Sequence, residues 1–180
     1  METHSIDKTF LEQAVLKTQN MKFVLNKKTT NGGKTNYPNI VDNGQIIHDL
    51  YSNKQVMSEY FSFYKTVFDN LNISVKEILR MKINITFPLI NYYEHNHQIP
   101  HYDVNNTQAT PNIKFKSFLV YLNDSDGDTF FFKNNKIDKR IKYQKGKGIL
   151  FDSNLLHAGQ NPMKHNTRIV LNTIFIQETN

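Results

Sequence analysis

"ILRMKINITF", residues 78–87, alternates without a break: Arg80, Lys82, Asn84 and Thr86 fall on one side, and Met81, Ile83, Ile85 and Phe87 on the other. A period of two marks a β-strand, because successive side chains of an extended chain point to opposite faces. The same reading carries downstream. "KFKSFLVYLN" (114–123) and "DTFFFK" (128–133) are strands joined through the turn residues "DSDG" (124–127), and "KGKGILFD" (145–152) and "TRIVLNTIFI" (167–176) add two more. Upstream, the pattern predicts helices. Residues 5–17 read as one, capped by Ser5 or Asp7, with Phe10, Ala14 and Lys17 on one face. "MKFVLN" (21–26) leans to β, and 28–44, rich in Asn, Gly and Thr, reads as a loop. A longer helix is predicted over 45–71, because Val56, Tyr60, Phe63, Val67 and Leu71 form a stripe at steps of three and four. Helices first and then a run of short strands predict one domain over 1–180, mainly β with N-terminal helices (α+β). In this reading residues 1–75 are helical support and 78–176 form a β-sandwich or jelly roll.

Composition narrows the function. The chain has 180 residues and no cysteine, which excludes a disulfide framework, a thiolate metal site and a catalytic thiol. Its start lacks a basic stretch followed by an apolar one, and no apolar run approaches membrane-spanning length, so the expectation is a soluble, cytoplasmic protein without a membrane partner. The net charge of +6 is scattered; residues 133–147 hold seven Lys/Arg against one Asp, which fits a solvated hairpin edge or a surface that attracts substrate.

"NYYEHNHQIPHYDV" (91–104) concentrates candidate ligands. His101 and Asp103 stand at i and i+2, so in an extended chain both face one side. His95 and His97 share that spacing, so spacing alone leaves the choice open. A His with a carboxylate and a distant second His makes the facial triad of non-haem iron oxygenases, whereas two histidines without a carboxylate suit zinc or copper. His157 and His165 lie downstream, and His157, in "FDSNLLHAGQNP", follows a predicted strand. Arg168 comes eleven residues later, at the head of the last strand.

This order of His-x-Asp, a distal His and a following Arg resembles the 2-oxoglutarate- and Fe(II)-dependent oxygenases, and in particular their prolyl-hydroxylase-like branch of phage and bacterial type. "FLVYLNDSDGDTFFF" (118–132), "KGKGILFDSNLLHAGQNP" (145–162) and "RMKIN" (80–84) resemble that branch's strands, so the likeness covers roughly 78–176. The resemblance implies a double-stranded β-helix. It implies an Fe(II) site of His101, Asp103 and His157, with 2-oxoglutarate and O2 as cosubstrates and ascorbate as an optional reductant. Arg168 would hold the far carboxylate of 2-oxoglutarate, and Asn84, Asn172 and Tyr121 would line the cosubstrate site, with packing in the core as the other reading of Tyr121. Related prolyl hydroxylases place a tyrosine against the cosubstrate where this chain has Val120 or Thr86. His95 and His97 are read as loop residues near the mouth of the site, and His165 as a surface loop residue. The implied reaction releases succinate and CO2 and hydroxylates a C–H bond, most simply of a prolyl or other peptidyl substrate. Asp103 speaks against a halogenase, which needs that ligand position vacant. The alternatives are a nucleic-acid or small-molecule oxygenase of the same superfamily, or a non-redox metal-binding jelly roll. The loop 28–44 and the basic stretch 133–147 are the expected substrate-contacting regions. The oligomeric state is left open, and the phage likeness suggests action in a host cytoplasm.

Overall fold

The alternating stretch lies in a twelve-residue strand, Val75–Thr86, and this strand organises the molecule. The computed structural model describes residues 1–30, 33–104 and 113–178; positions 31–32 of the expected 28–44 loop lie outside them. In chain order the elements are β1 (Glu2–Ser5), α1 (Lys8–Gln19), β2 (Val24–Asn26), β3 (Gln45–Ser52), β4 (Gln55–Val56), α2 (Phe61–Lys65), β5 (Val75–Thr86), β6 (Lys114–Tyr121), β7 (Thr129–Lys133), β8 (Lys136–Ile141), β9 (Lys147–Asp152), β10 (His157–Gly159) and β11 (Arg168–Gln177). A 3-10 turn, Thr66–Phe68, continues α2. The large antiparallel sheet runs β1-β9-β6-β11-β5-β3-β2, with β4 paired to β3, and the small sheet runs β10-β7-β8. The architecture is the expected jelly roll.

Alternation divides the apolar residues of the large sheet between two cores. Met81, Ile83 and Ile85 of β5, Phe118 and Val120 of β6, and Leu171 and Phe175 of β11 pack under α1 and α2. The opposite faces of the same strands turn toward the small sheet, where Leu119, Tyr121, Ile149, Phe151 and Val170 meet Phe131. The inward side chains of β5 are Arg80, Lys82, Asn84 and Thr86, so the polar face of the stretch lines the interior of the jelly roll. In α1, the Asp7 carboxylate accepts a hydrogen bond from the Phe10 N–H at 2.8 Å, and Leu11, Ala14 and Thr18 are buried.

The predicted helix over 45–71 does not form across its first half. Residues 45–56 make the β3–β4 hairpin, turning at Asn53 (φ 52°) and Lys54 (φ 62°). Two successive positive φ angles are what a two-residue turn between antiparallel strands demands, and asparagine suits the first. Pairing of β3 with β5 overrides the helical stripe, which survives only around Phe63 and Val67. Residues 1–75 are therefore more than helical support, because β1, β2, β3 and β4 all join the large sheet.

Candidate metal centre and the cavity beside it

The segment carrying His101 runs antiparallel to β10, and the two backbones lock together. The His101 N–H donates to the His157 carbonyl at 2.8 Å, and the His157 N–H returns a bond to the His101 carbonyl at 3.0 Å. Two residues on, the Asp103 N–H donates to Ser153 O at 3.0 Å. This pairing, between residues far apart in sequence, brings the three candidate ligands together. One donor atom each from His101, Asp103 and His157 lies within 4.8 Å of the others. His101 Nε2 is 4.0 Å from Asp103 Oδ1, and His157 Nε2 is 3.8 Å from Asp103 Oδ2.

Hydrogen bonding prepares each of the three as a ligand. His101 Nδ1 lies 3.1 Å from the Ile99 carbonyl and His157 Nδ1 lies 2.9 Å from the Leu155 carbonyl. A carbonyl only accepts, so each Nδ1 carries the proton and each Nε2 presents its lone pair to the centre. Asp103 Oδ2 accepts from Ser117 Oγ at 2.7 Å, and Oδ1 accepts from Arg80 Nη2 at 3.2 Å. Burial pushes the Asp103 carboxyl up, but His157, Arg80, His101 and the Ser117 hydroxyl outweigh it and hold the group down at about 2. Burial, reinforced by the neighbouring His157 imidazole, lowers His101 to about 4. Neutral imidazoles and an ionised carboxylate are the forms that bind a metal. Two nitrogens and one oxygen, held by backbone and outer hydrogen bonds, suit a divalent first-row ion and match the donor set of a non-haem iron site.

A cavity of about 260 Å³ opens beside these residues, lined among others by Arg80, Lys82, Asn84, Arg168, Val170 and Asn172. Arg168 is buried at its edge. Its Nε donates to the Gly127 carbonyl at 2.7 Å and its Nη2 to Thr129 Oγ1 at 3.1 Å, and its guanidinium lies over the rings of Tyr121 and Tyr143 at 5.8 and 5.6 Å. Among the described residues no carboxylate pairs with it. A buried, permanently charged group held only by neutral acceptors is poised for an external anion. Other orphaned groups share the interior: Asn84 Oδ1, Thr86 Oγ1 and Asn172 Oδ1 are buried without a hydrogen-bond partner among the described residues.

Of the residues singled out by sequence, His101, Asp103, His157, Arg168, Asn84 and Asn172 line this one cavity. Tyr121 does not. It is fully buried behind Arg168, stacked on Tyr143 at 4.1 Å, with its hydroxyl 2.7 Å from Thr129 Oγ1, so it orients the arginine's neighbours rather than touching the cavity. His97 lies between the named strands, but not at the cavity mouth: it is buried against Phe130 and Phe132, and burial lowers its pKa. His95 is exposed and stacks on Tyr93, and exposed His165 meets Asp126 at 3.2 Å. Sequence reasoning passed over Ser117 and Thr129. Ser117 was readable, since it shares the inward phase of β6 with Leu119 and Tyr121; Thr129, at the foot of β7, gave no such signal.

Residues 88–176 match a protein family described as the 2OG-Fe(II) oxygenase superfamily. No curated protein matches the sequence. Solved structures share the fold at low identity. A prolyl-4-hydroxylase of Pseudomonas putida is 11% identical, with a TM-score of 0.58 over 97% of this chain and 91% of that one. An oxidoreductase of the 2OG-Fe(II) oxygenase family from Burkholderia pseudomallei is 11% identical, with a TM-score of 0.67 over 97% and 81%. A prolyl hydroxylase of Trichoplax adhaerens, solved with a hypoxia inducible factor oxygen degradation domain peptide, is 16% identical, with a TM-score of 0.52 over 93% and 77%.

Proposed function

We propose, from the match of residues 88–176 to the 2OG-Fe(II) oxygenase superfamily, that this chain hydroxylates a C–H bond of a peptidyl substrate, a prolyl residue foremost, while 2-oxoglutarate becomes succinate and CO2. The observation that carries the reading is Arg168: a buried guanidinium without an acid partner among the described residues, on the same inward strand face as Asn172 and beside three converging ligands. His101, Asp103 and His157 would hold Fe(II) on one face. Iron with 2-oxoglutarate and O2, when bound, supplies the oxidising power for the C–H bond. The chain's own part is placement. Ser117 and Arg80 fix the carboxylate ligand, and the Ile99 and Leu155 carbonyls fix the imidazoles. Arg168 would take the far carboxylate of 2-oxoglutarate in a two-pronged bond, with the orphaned amides of Asn84 and Asn172 satisfied by cosubstrate or substrate. The peptidyl assignment draws on the two prolyl hydroxylases that share the fold, one of them solved with a peptide.

The test is a panel of prolyl peptides incubated with protein, Fe(II), 2-oxoglutarate and O2. Succinate release and a gain of one oxygen in the peptide should rise together and vanish without iron. Oxidation of an oligonucleotide or a free metabolite, with every peptide untouched, would replace the peptidyl reading with another substrate of the same chemistry.

A further inference from the structure

Triad and cosubstrate anchor leave one wall of the cavity unexplained. It is built by Arg80 and Lys82, which also border an adjoining hollow of about 490 Å³ together with Lys27 and Lys28. Arg80 is matched only by Asp103, at 3.2 Å, and its Nε is buried without a hydrogen-bond partner among the described residues. Lys82 has no ion pair among the described residues. Asp49 stands opposite it on β3 and attracts it without reaching pairing distance. The cavity wall thus carries Arg80, Lys82 and Arg168 against one carboxylate, Asp103. Bound Fe(II) and dianionic 2-oxoglutarate cancel each other's charge, so the surplus of cations persists in the loaded site.

Register separates this wall from the cosubstrate anchor. Arg168 is opposite Thr86 on β5, whereas Lys82 is opposite Asn172. Lys82 and Thr86 are four residues apart on one strand, roughly 13 Å. The Arg80–Lys82 pair thus stands apart along β5 from the strand position that Arg168 faces. We propose that this wall is a substrate subsite, and that the hydroxylated substrate carries a carboxylate close to the reacting carbon, gripped by Arg80 and Lys82. The inference rests on the hydroxylase reading above and specifies its substrate. A planar guanidinium beside a part-buried lysine head suits a carboxylate, which can take a forked bond from one and a single bond from the other. A nucleic-acid backbone would call instead for an extended basic surface, and the basic stretch 133–147 lends no residue to either hollow.

The test measures binding and turnover with one short prolyl peptide in three forms, flanked by glutamates, glutamines or lysines. Free glutamate and an oligothymidylate serve as further probes. Titration calorimetry on the Fe(II)- and 2-oxoglutarate-loaded protein should give the glutamate form an affinity at least about tenfold above the glutamine form, falling with salt. Lys82→Glu should abolish that preference and favour the lysine form, whereas Lys82→Arg should keep it; 2-oxoglutarate affinity, measured in parallel, reports that each variant is folded. Equal binding and oxidation of all three peptides would overturn the subsite and leave the peptidyl reading standing. Stimulation of succinate release by free glutamate alone, lost in Lys82→Glu, would support the subsite and refute the peptidyl reading. The subsite also falls if only oligothymidylate stimulates, if no probe shows a charge preference, or if Lys82→Glu weakens 2-oxoglutarate instead of the acidic probe.

Discussion

Asp103 is an acid kept ionised by its neighbours rather than by water. Its carboxyl is almost fully buried, yet two imidazoles, a guanidinium and a hydroxyl surround it. Asp103→Ala removes a ligand and strands Arg80 beside an apolar gap. The variant should retain no Fe(II) after desalting, and an iron content equal to wild type would exclude Asp103 from the site. In the metal-free protein these residues also make stability depend on pH. His101 sits at about 4 against an ordinary 6.5, and Asp103 at about 2 against 3.8. Between each pair of values the unfolded chain binds more protons than the folded one, so stability must fall as pH falls, first from 6.5 to 4 and then from 3.8 to 2. Urea midpoints of chelator-treated protein should drop across the first window; a midpoint constant from pH 6.5 to 4 would contradict the burial of a neutral His101.

Strand phase explains why some elements were legible in the sequence and others were not. β5, β6 and β11 alternate cleanly because one face meets the helices and the other the cavity; phase put Arg80, Lys82, Asn84 and Thr86 on one face, and the family resemblance, not phase, pointed to Asn84, Arg168 and Asn172 as lining the site. The β3–β4 hairpin was misread as helix because its turn is Asn-Lys rather than Asn-Gly, and because residues 61–68 do contribute a helical stripe. Phase leaves Tyr121 between the site and the core because it says that a side chain points inward but not how deep the packing extends; Tyr143 and Thr129, which enclose it, come from distant segments. Both points can be tested. Lys54→Gly relieves a positive φ at a side-chain-bearing residue and should raise stability by about 0.5–1 kcal/mol, read as a higher urea midpoint; a lower midpoint would contradict the turn. Gly127→Ala would press a Cβ into the Gln160 carbonyl and within 2.7 Å of Arg168 Cδ. It should weaken 2-oxoglutarate binding while leaving iron binding intact, and unchanged cosubstrate affinity would mean that Arg168 does not depend on this turn.

Across the whole molecule, the net charge of +6 divides into unlike parts. The exposed lysines of β8 lie on the edge of the small sheet, where charge discourages pairing with another chain, while Arg140 is neutralised by Asp128 and Glu94. The cations that matter to chemistry are those turned inward. Among the described residues no helix is long and apolar enough to cross a membrane. What the sequence could not convey was the pairing of the His101 segment with β10, a contact across more than fifty residues that closes the jelly roll over the ligands. The most direct measurement is an anaerobic titration of metal-free protein with Fe(II) and then 2-oxoglutarate, following the weak visible band that the two give when bound together, with His157→Ala and Arg168→Gln alongside. Wild type should develop the band, and His157→Ala should not. Arg168→Gln should bind iron normally but need more 2-oxoglutarate, a loss of about 2–5 kcal/mol for truncating one partner of a buried charge pair. A band of full strength in His157→Ala, or wild-type affinity for 2-oxoglutarate in Arg168→Gln, would contradict the assignment of these residues.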